Sequence, residues 1–152
     1  MKKVTPFLWF DTQAEEAMNY YVSVFKNAKV LGVSRGSDGK AFTVSFELDG
    51  QEFMGLNAGP QFKFNEAVSM FVNCEDQAEV DHFWNALIAD GGEESMCGWC
   101  KDKYGLWWQI VPKQLGELMG DPNPEKSGRV MQAMLKMQKI IVVDLQKAYD
   151  GA

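Results

Sequence analysis

Histidine occurs once in this chain, at His82, and cysteine three times, at Cys74, Cys97 and Cys100. One imidazole cannot supply a His-rich zinc site or the two-histidine, one-carboxylate triad of a non-haem iron centre. Three cysteines are an odd count with one close pair, a poor disulfide framework, so the thiols are expected to stay reduced. Positive charge is short as well: 15 Lys and Arg stand against 21 Asp and Glu, a net charge of −6. No excess positive field is left to attract nucleic acid or an anionic membrane. Long apolar runs are missing; Ile140 to Val143 falls far below the roughly 18 residues needed to span a bilayer. Lys2 and Lys3 resemble the start of a signal peptide, but Pro6 and Asp11 interrupt the apolar stretch too early. These absences predict a cytoplasmic protein without nucleic-acid or membrane partners.

What remains is 152 residues, 46% hydrophobic and 24% charged. That composition is ordinary for a globular chain, and the length suits a single domain, residues 1–152. A repeat organises it. Gln13-Ala14-Glu15 recurs as Gln77-Ala78-Glu79, each copy preceded by a short apolar stretch (Phe7 to Phe10, Val68 to Val72). Each copy also opens an amphipathic helix. The first, near Ala14 to Phe25, aligns Ala14, Ala17, Met18, Tyr21 and Phe25. The second, near Gln77 to Ala89, aligns Val80, Phe83, Trp84, Leu87 and Ile88 and ends at Gly91-Gly92.

Three strand-like segments follow each helix. After the first they are Lys29 to Arg35, Ala41 to Leu48 and Glu52 to Asn57, with turns at Ser37-Asp38-Gly39 and Asp49-Gly50. After the second they are Glu93 to Gly98, Trp99 to Lys101 and Leu106 to Val111. The chain thus reads as βαβββ twice, over residues 1–60 and 64–112, giving an α+β fold. Residues 113–152 form a C-terminal helical arm: a short helix from Lys113 to Met119, then Asn123 as cap and Pro124 at the first position of a helix reaching about Gln138. Val130, Met131, Met134 and Leu135 share a face of that helix. The all-apolar Ile140 to Val143 predicts a break or enclosure, with a last helical turn from Asp144.

Several segments carry a family resemblance: Thr5 to Asp11, Gln13 to Ala17, Asn57 to Phe64, Cys97-Gly98-Trp99 and Lys101 to Pro112, and the likeness is expected to cover nearly the whole chain, the tail from Pro122 to Gly151 included. With the paired βαβββ layout, the chain resembles the PhnB-like branch of the vicinal oxygen chelate (glyoxalase/bleomycin-resistance) superfamily, whose members often bear the name 3-demethylubiquinone-9 3-methyltransferase. The resemblance implies two modules curling their mixed sheets into a cup, and a homodimer. In metal-using relatives four ligands face that cup. The matching positions here are Thr5, Asn57 (or Gly55), Val68 or Ser69, and Gln109. None is a histidine or carboxylate, and neutral Thr, Asn and Gln hold divalent metals weakly. The expectation is a site with no metal and no cofactor. Nor does a Gly-rich turn between a parallel strand and a helix mark a methyl-donor site.

The candidate ligand pocket is an aromatic cup with a few amides: Thr5, Phe7, Trp9, Asn57, Gln61, Phe62, Lys63, Trp107 and Gln109. Alternation places Phe7 and Trp9 with Thr5, and Trp107 with Gln109, while Trp108 packs beneath a helix. Gln61 to Phe64 reads either as a rim, with Lys63 pairing an anionic ligand, or as a linker whose phenylalanines staple two sheets. Cys97-Gly98-Trp99-Cys100 has thioredoxin-like spacing but falls in a hairpin, so two buried or half-buried thiols are expected. His82 falls on the face opposite the second helix's apolar stripe, exposed. Met131, Met134 and Met137 point to core or dimer packing. The function read from this is small-molecule binding. Its alternatives are a metal-dependent lyase, dioxygenase or resistance-type transferase of the superfamily, a methyltransferase by family name only, and a structural homodimer whose cup is filled by its own tail.

Overall fold

A computed structural model describes residues 2–152. The chain forms two compact units, one ending at Phe64 and one spanning Asn65–Ala152. The second takes in the helical arm. Each unit carries its own four-stranded mixed sheet.

In the first unit β1 (Phe7–Phe10) leads into α1 (Ala14–Val24), then β2 (Ala28–Arg35), β3 (Ala41–Leu48) and β4 (Gln51–Asn57). The sheet order is β1-β4-β3-β2, with β1 parallel to β4 and the remaining pairs antiparallel. Period-two alternation decides what each face holds. Leu8, Phe10, Val44, Phe46, Leu48 and Phe53 are buried, as are Ala14, Ala17, Met18, Tyr21 and Val24 of α1. They form the core beneath the helix. Phe42, in phase with Val44, is instead 55% exposed.

The α1 N-terminus has an unusual cap. Gln13 makes no side-chain cap bond, being too long for the short-range geometry that Ser, Asp or Asn provide. Asn57, at the far end of β4, reaches over instead. Its Oδ1 accepts from the Ala14 N–H at 2.8 Å, and its Nδ2 donates to the Ala41 carbonyl at 3.1 Å.

The second unit repeats the plan with β5 (Ser69–Cys74), α2 (Gln77–Ile88), β6 (Glu93–Glu94), β7 (Trp99–Lys101) and β8 (Trp107–Pro112), in sheet order β5-β8-β7-β6. Here α2 is capped locally, Asp76 accepting from the Glu79 N–H at 3.0 Å. The expected strand from Glu93 to Gly98 shrinks to two residues, because Cys97 (φ 59°) and Gly98 (φ 83°) turn left-handed. Buried Asp102 organises the β7–β8 turn. Its Oδ1 accepts from the Tyr104 and Leu106 N–H groups at 2.9 and 3.0 Å, and its Oδ2 from the Trp108 indole at 2.9 Å.

The arm has three helices, α3 (Lys113–Met119), α4 (Pro124–Met134) and α5 (Val142–Asp150). Leu115, Val130, Ile140 and Leu145 form its buried centre, with Met134, Met137 and Tyr149 around them. Helix α4 stops at Met134, shorter than the sequence suggested, and α5 begins at Val142 rather than at Asp144. Met131 and Leu135, spaced one turn apart, face outward; Val130 and Met134 face in. Arg129 ties α4 to the end of α5 by donating to the Ala148 and Tyr149 carbonyls at 2.8 and 2.7 Å. A guanidinium suits that helix end, where unpaired carbonyls carry partial negative charge.

Candidate functional site

The face of the first sheet opposite α1 carries Phe7, Trp9, Met54 and Leu56. Pairing sets Phe7 against Met54 and Trp9 against Leu56. Phe7 is 51% exposed, an unusual state for a strand phenylalanine. Trp9 is half-buried and oriented by its indole, which donates to the Gly59 carbonyl at 2.9 Å. Phe62 meets the Trp9 ring edge-on at 4.9 Å between centroids, and Phe64 meets Phe10 likewise at 5.5 Å. Trp9 and Phe10 point to opposite faces, so the segment after β4 straddles β1 with one phenylalanine on each side. Gln61 lies against Gly59, whose φ of +94° suits glycine, while Lys63 is exposed. The Thr5 hydroxyl, two residues before Phe7, is shielded without a hydrogen-bond partner.

Asn57 stands apart from this group. It is in phase with Phe53 and Gly55 and lies on the helix side, where both ends of its amide are engaged. Its place in the candidate pocket is therefore corrected: Asn57 is the cap of α1. The signal that could have found this is Gln13, an ineffective cap whose helix needs a partner from elsewhere.

The second sheet's corresponding face is better furnished. Phe71 pairs with Gln109, and Gln109 with Trp99, so an amide sits in one row between two aromatic rings. The next row holds Ser69, Trp107 and Lys101. Gln109 Nε2 donates to Ser69 Oγ at 2.9 Å. The Trp99 and Trp107 centroids are 6.5 Å apart with planes tilted 60°. Lys101 Nζ lies 5.8 Å from the Trp107 centroid and pairs with Glu93 at 3.1 Å. Trp108 faces the other way, buried beneath α2 with Ile110. Sequence reasoning missed Phe71, Trp99 and Lys101 as members of this face. The parallel register of β5 with β8 would have supplied them, but register is not legible from one strand alone.

The donor set does not fit a conventional metal. Thr5 offers one hydroxyl, Asn57 is committed to α1, and Ser69 and Gln109 are bonded to each other. Among the described residues no three His, Cys, Asp or Glu side chains come together as a metal-holding group. The thiols are free, and burial pushes those of Cys74 and Cys100 up to about 12. A thiol held protonated is a poor nucleophile. The Cys97–Cys100 motif instead serves packing: the Cys97 and Gly98 N–H groups donate to the Met137 and Gln138 carbonyls of the arm at 2.7 and 2.8 Å. His82 is exposed on α2, edge-on to Phe83.

Residues 2–111 match the family model described as 3-demethylubiquinone-9 3-methyltransferase. A PhnB protein from Bacillus cereus, bearing the same family name, is 34% identical with a TM-score of 0.69; the match covers 73% of this chain and 99% of that one. A Pseudomonas aeruginosa protein shares the fold at 17% identity and TM-score 0.61, over 74% of this chain and 98% of its own. No curated protein matches the chain. The chain belongs to the 3-demethylubiquinone-9 3-methyltransferase family, to which the similar PhnB protein is also assigned by name.

Proposed function

We propose that this chain binds a small organic molecule on its aromatic sheet faces, without a conventional metal site. The observation that carries the reading is the row Phe71–Gln109–Trp99, an amide fixed by Ser69 between aromatic rings and half open to solvent. Apolar walls with a few oriented polar groups are the usual make-up of a ligand site. The methyltransferase name has less support in the residues. Gly32 lies within β2 and Gly55 within β4, and neither opens a helix after a parallel strand as a methyl-donor turn requires. A homodimer belongs to the same proposal, supported by exposed Val30 and Leu31 on edge strand β2 and by Met131 and Leu135 on α4.

Native mass spectrometry of tag-free protein tests the reading. A dimer that carries an extra organic mass and no stoichiometric metal is the expected outcome; about one metal ion per chain would overturn it. Gln109→Ala should then lower ligand occupancy about tenfold, the cost of roughly one hydrogen bond to a fixed amide, with an unchanged melting curve.

A further inference from the structure

Resting on the binding reading above, we infer that the second unit's sheet face selects a neutral, planar aromatic ligand that presents a hydrogen-bond donor at its edge. Three features point to that class. The first is the polarity left over at Gln109. One of the two Nε2 hydrogens is given to Ser69 Oγ, which fixes the rotation of the carboxamide and leaves Oε1 as an acceptor with no partner among the described residues. A fixed acceptor with free lone pairs recognises a hydroxyl or ring N–H, and it rejects an isostere lacking that hydrogen, because the carbonyl would lose water without replacement.

The second feature is the arrangement of the rings. Trp99 and Trp107 meet edge-to-face, tilted by 60° at 6.5 Å rather than stacked, so the ring that presents its edge keeps its own faces clear of the other. Phe71 stands on the opposite side of Gln109 and is 54% exposed. A third, planar ring can meet these side chains edge-to-face or offset, the favoured geometries for aromatic pairs. The amide between them fixes where its polar edge must lie.

The third feature is charge. Lys101, a cation in the neighbouring row, is already engaged, paired to Glu93 at 3.1 Å and lying over the Trp107 ring. The Glu93 carboxylate offsets the charge of Lys101, so the face carries little net positive field to draw an anion and favours an uncharged ligand.

Titration of three naphthalenes of one shape tests the inference, followed by the Gln109 side-chain amide and the Trp99 and Trp107 indole resonances in nitrogen-15-labelled full-length protein. The donor-bearing 2-naphthol should shift all three sets and bind at least tenfold tighter than 2-methoxynaphthalene, which lacks the donor, or 2-naphthoate, which carries charge. Gln109→Leu should erase that preference while leaving the weak binding of 2-methoxynaphthalene in place. Equal binding of 2-naphthol and its methyl ether would overturn the donor selectivity yet keep the aromatic-face reading. Tightest binding of 2-naphthoate would overturn the neutral class and make Lys101 the reader. If none of the three moves these resonances, the binding reading itself fails along with the inference.

Discussion

At the residue scale, one buried carboxylate and two buried thiols do work that the composition conceals. Asp102 is 1% exposed, a costly place for a carboxylate unless its lone pairs are filled. Two backbone N–H groups and the Trp108 indole fill them. Asp102→Ala leaves those three donors without their acceptor, and urea unfolding should show a loss of about 3 kcal/mol; a loss below about 1 kcal/mol would mean that water takes the carboxylate's place. The buried thiols set an alkaline limit. Burial raises Cys74 and Cys100 from an ordinary 9.0 to about 12, so the fold holds protons that the unfolded chain releases. Their contribution to stability is fully present below pH 9 and is lost as pH rises towards 12. Melting temperature should fall over that window, and Cys74→Ala/Cys100→Ala should flatten the fall.

At the element scale, the arm is fastened by residues that look unrelated in sequence. Gln77 opens α2, yet its Nε2 donates to the Ile140 carbonyl at 3.0 Å and its Oε1 accepts from the Val142 N–H at 2.7 Å. Asp81, one turn on, pairs with Lys139 at 2.9 Å. Gly98 completes the grip: a Cβ there would come within 3.0 Å of the Ile110 carbonyl and 3.1 Å of Ile140, at a φ of +83°. Gln77→Ala should raise hydrogen exchange at the Val142 amide at least tenfold while leaving Val44 and Phe46 protected. Unchanged exchange at Val142 would show that packing of Ile140 alone holds the segment. The same elements show what sequence could reveal. The Gln-Ala-Glu repeat, the alternation of Val44, Phe46 and Leu48 and the cap at Asn123 are local signals, and the βαβββ layout follows from them. Asn57's cap, Gln77's hold on the arm and the row Phe71–Gln109–Trp99 are pairings between distant segments. No periodicity encodes them, so the pattern of a single strand shows neither the bonds that hold Asn57 nor the place of Trp99 in the row.

On the scale of the whole molecule, the family match ends at residue 111, just before α3 begins at Lys113. The arm is thus an addition to a βαβββ pair, held by residues inside the matched region. No helix among the described residues is long and apolar enough to cross a membrane. Both units share one topological habit: the first strand lies parallel to the last, Phe7 meeting Met54 and Ser69 meeting Trp107. That habit has a temporal consequence. Hairpin β3–β4 can form as soon as it leaves the ribosome, but β1, made first, must wait for β4 before it has any neighbour to pair with. Pairing β1 with β4 closes a far longer loop than the β3–β4 turn and costs more chain entropy before any contact repays it, so β1 docks late. Leu8→Ala should therefore speed unfolding in stopped-flow experiments and barely slow refolding. During synthesis Phe7, Leu8, Trp9 and Phe10 travel as a bare apolar tetrapeptide until β4 arrives. The stretch richest in aromatics at the amino end is thus the one a nascent chain most needs a chaperone to cover.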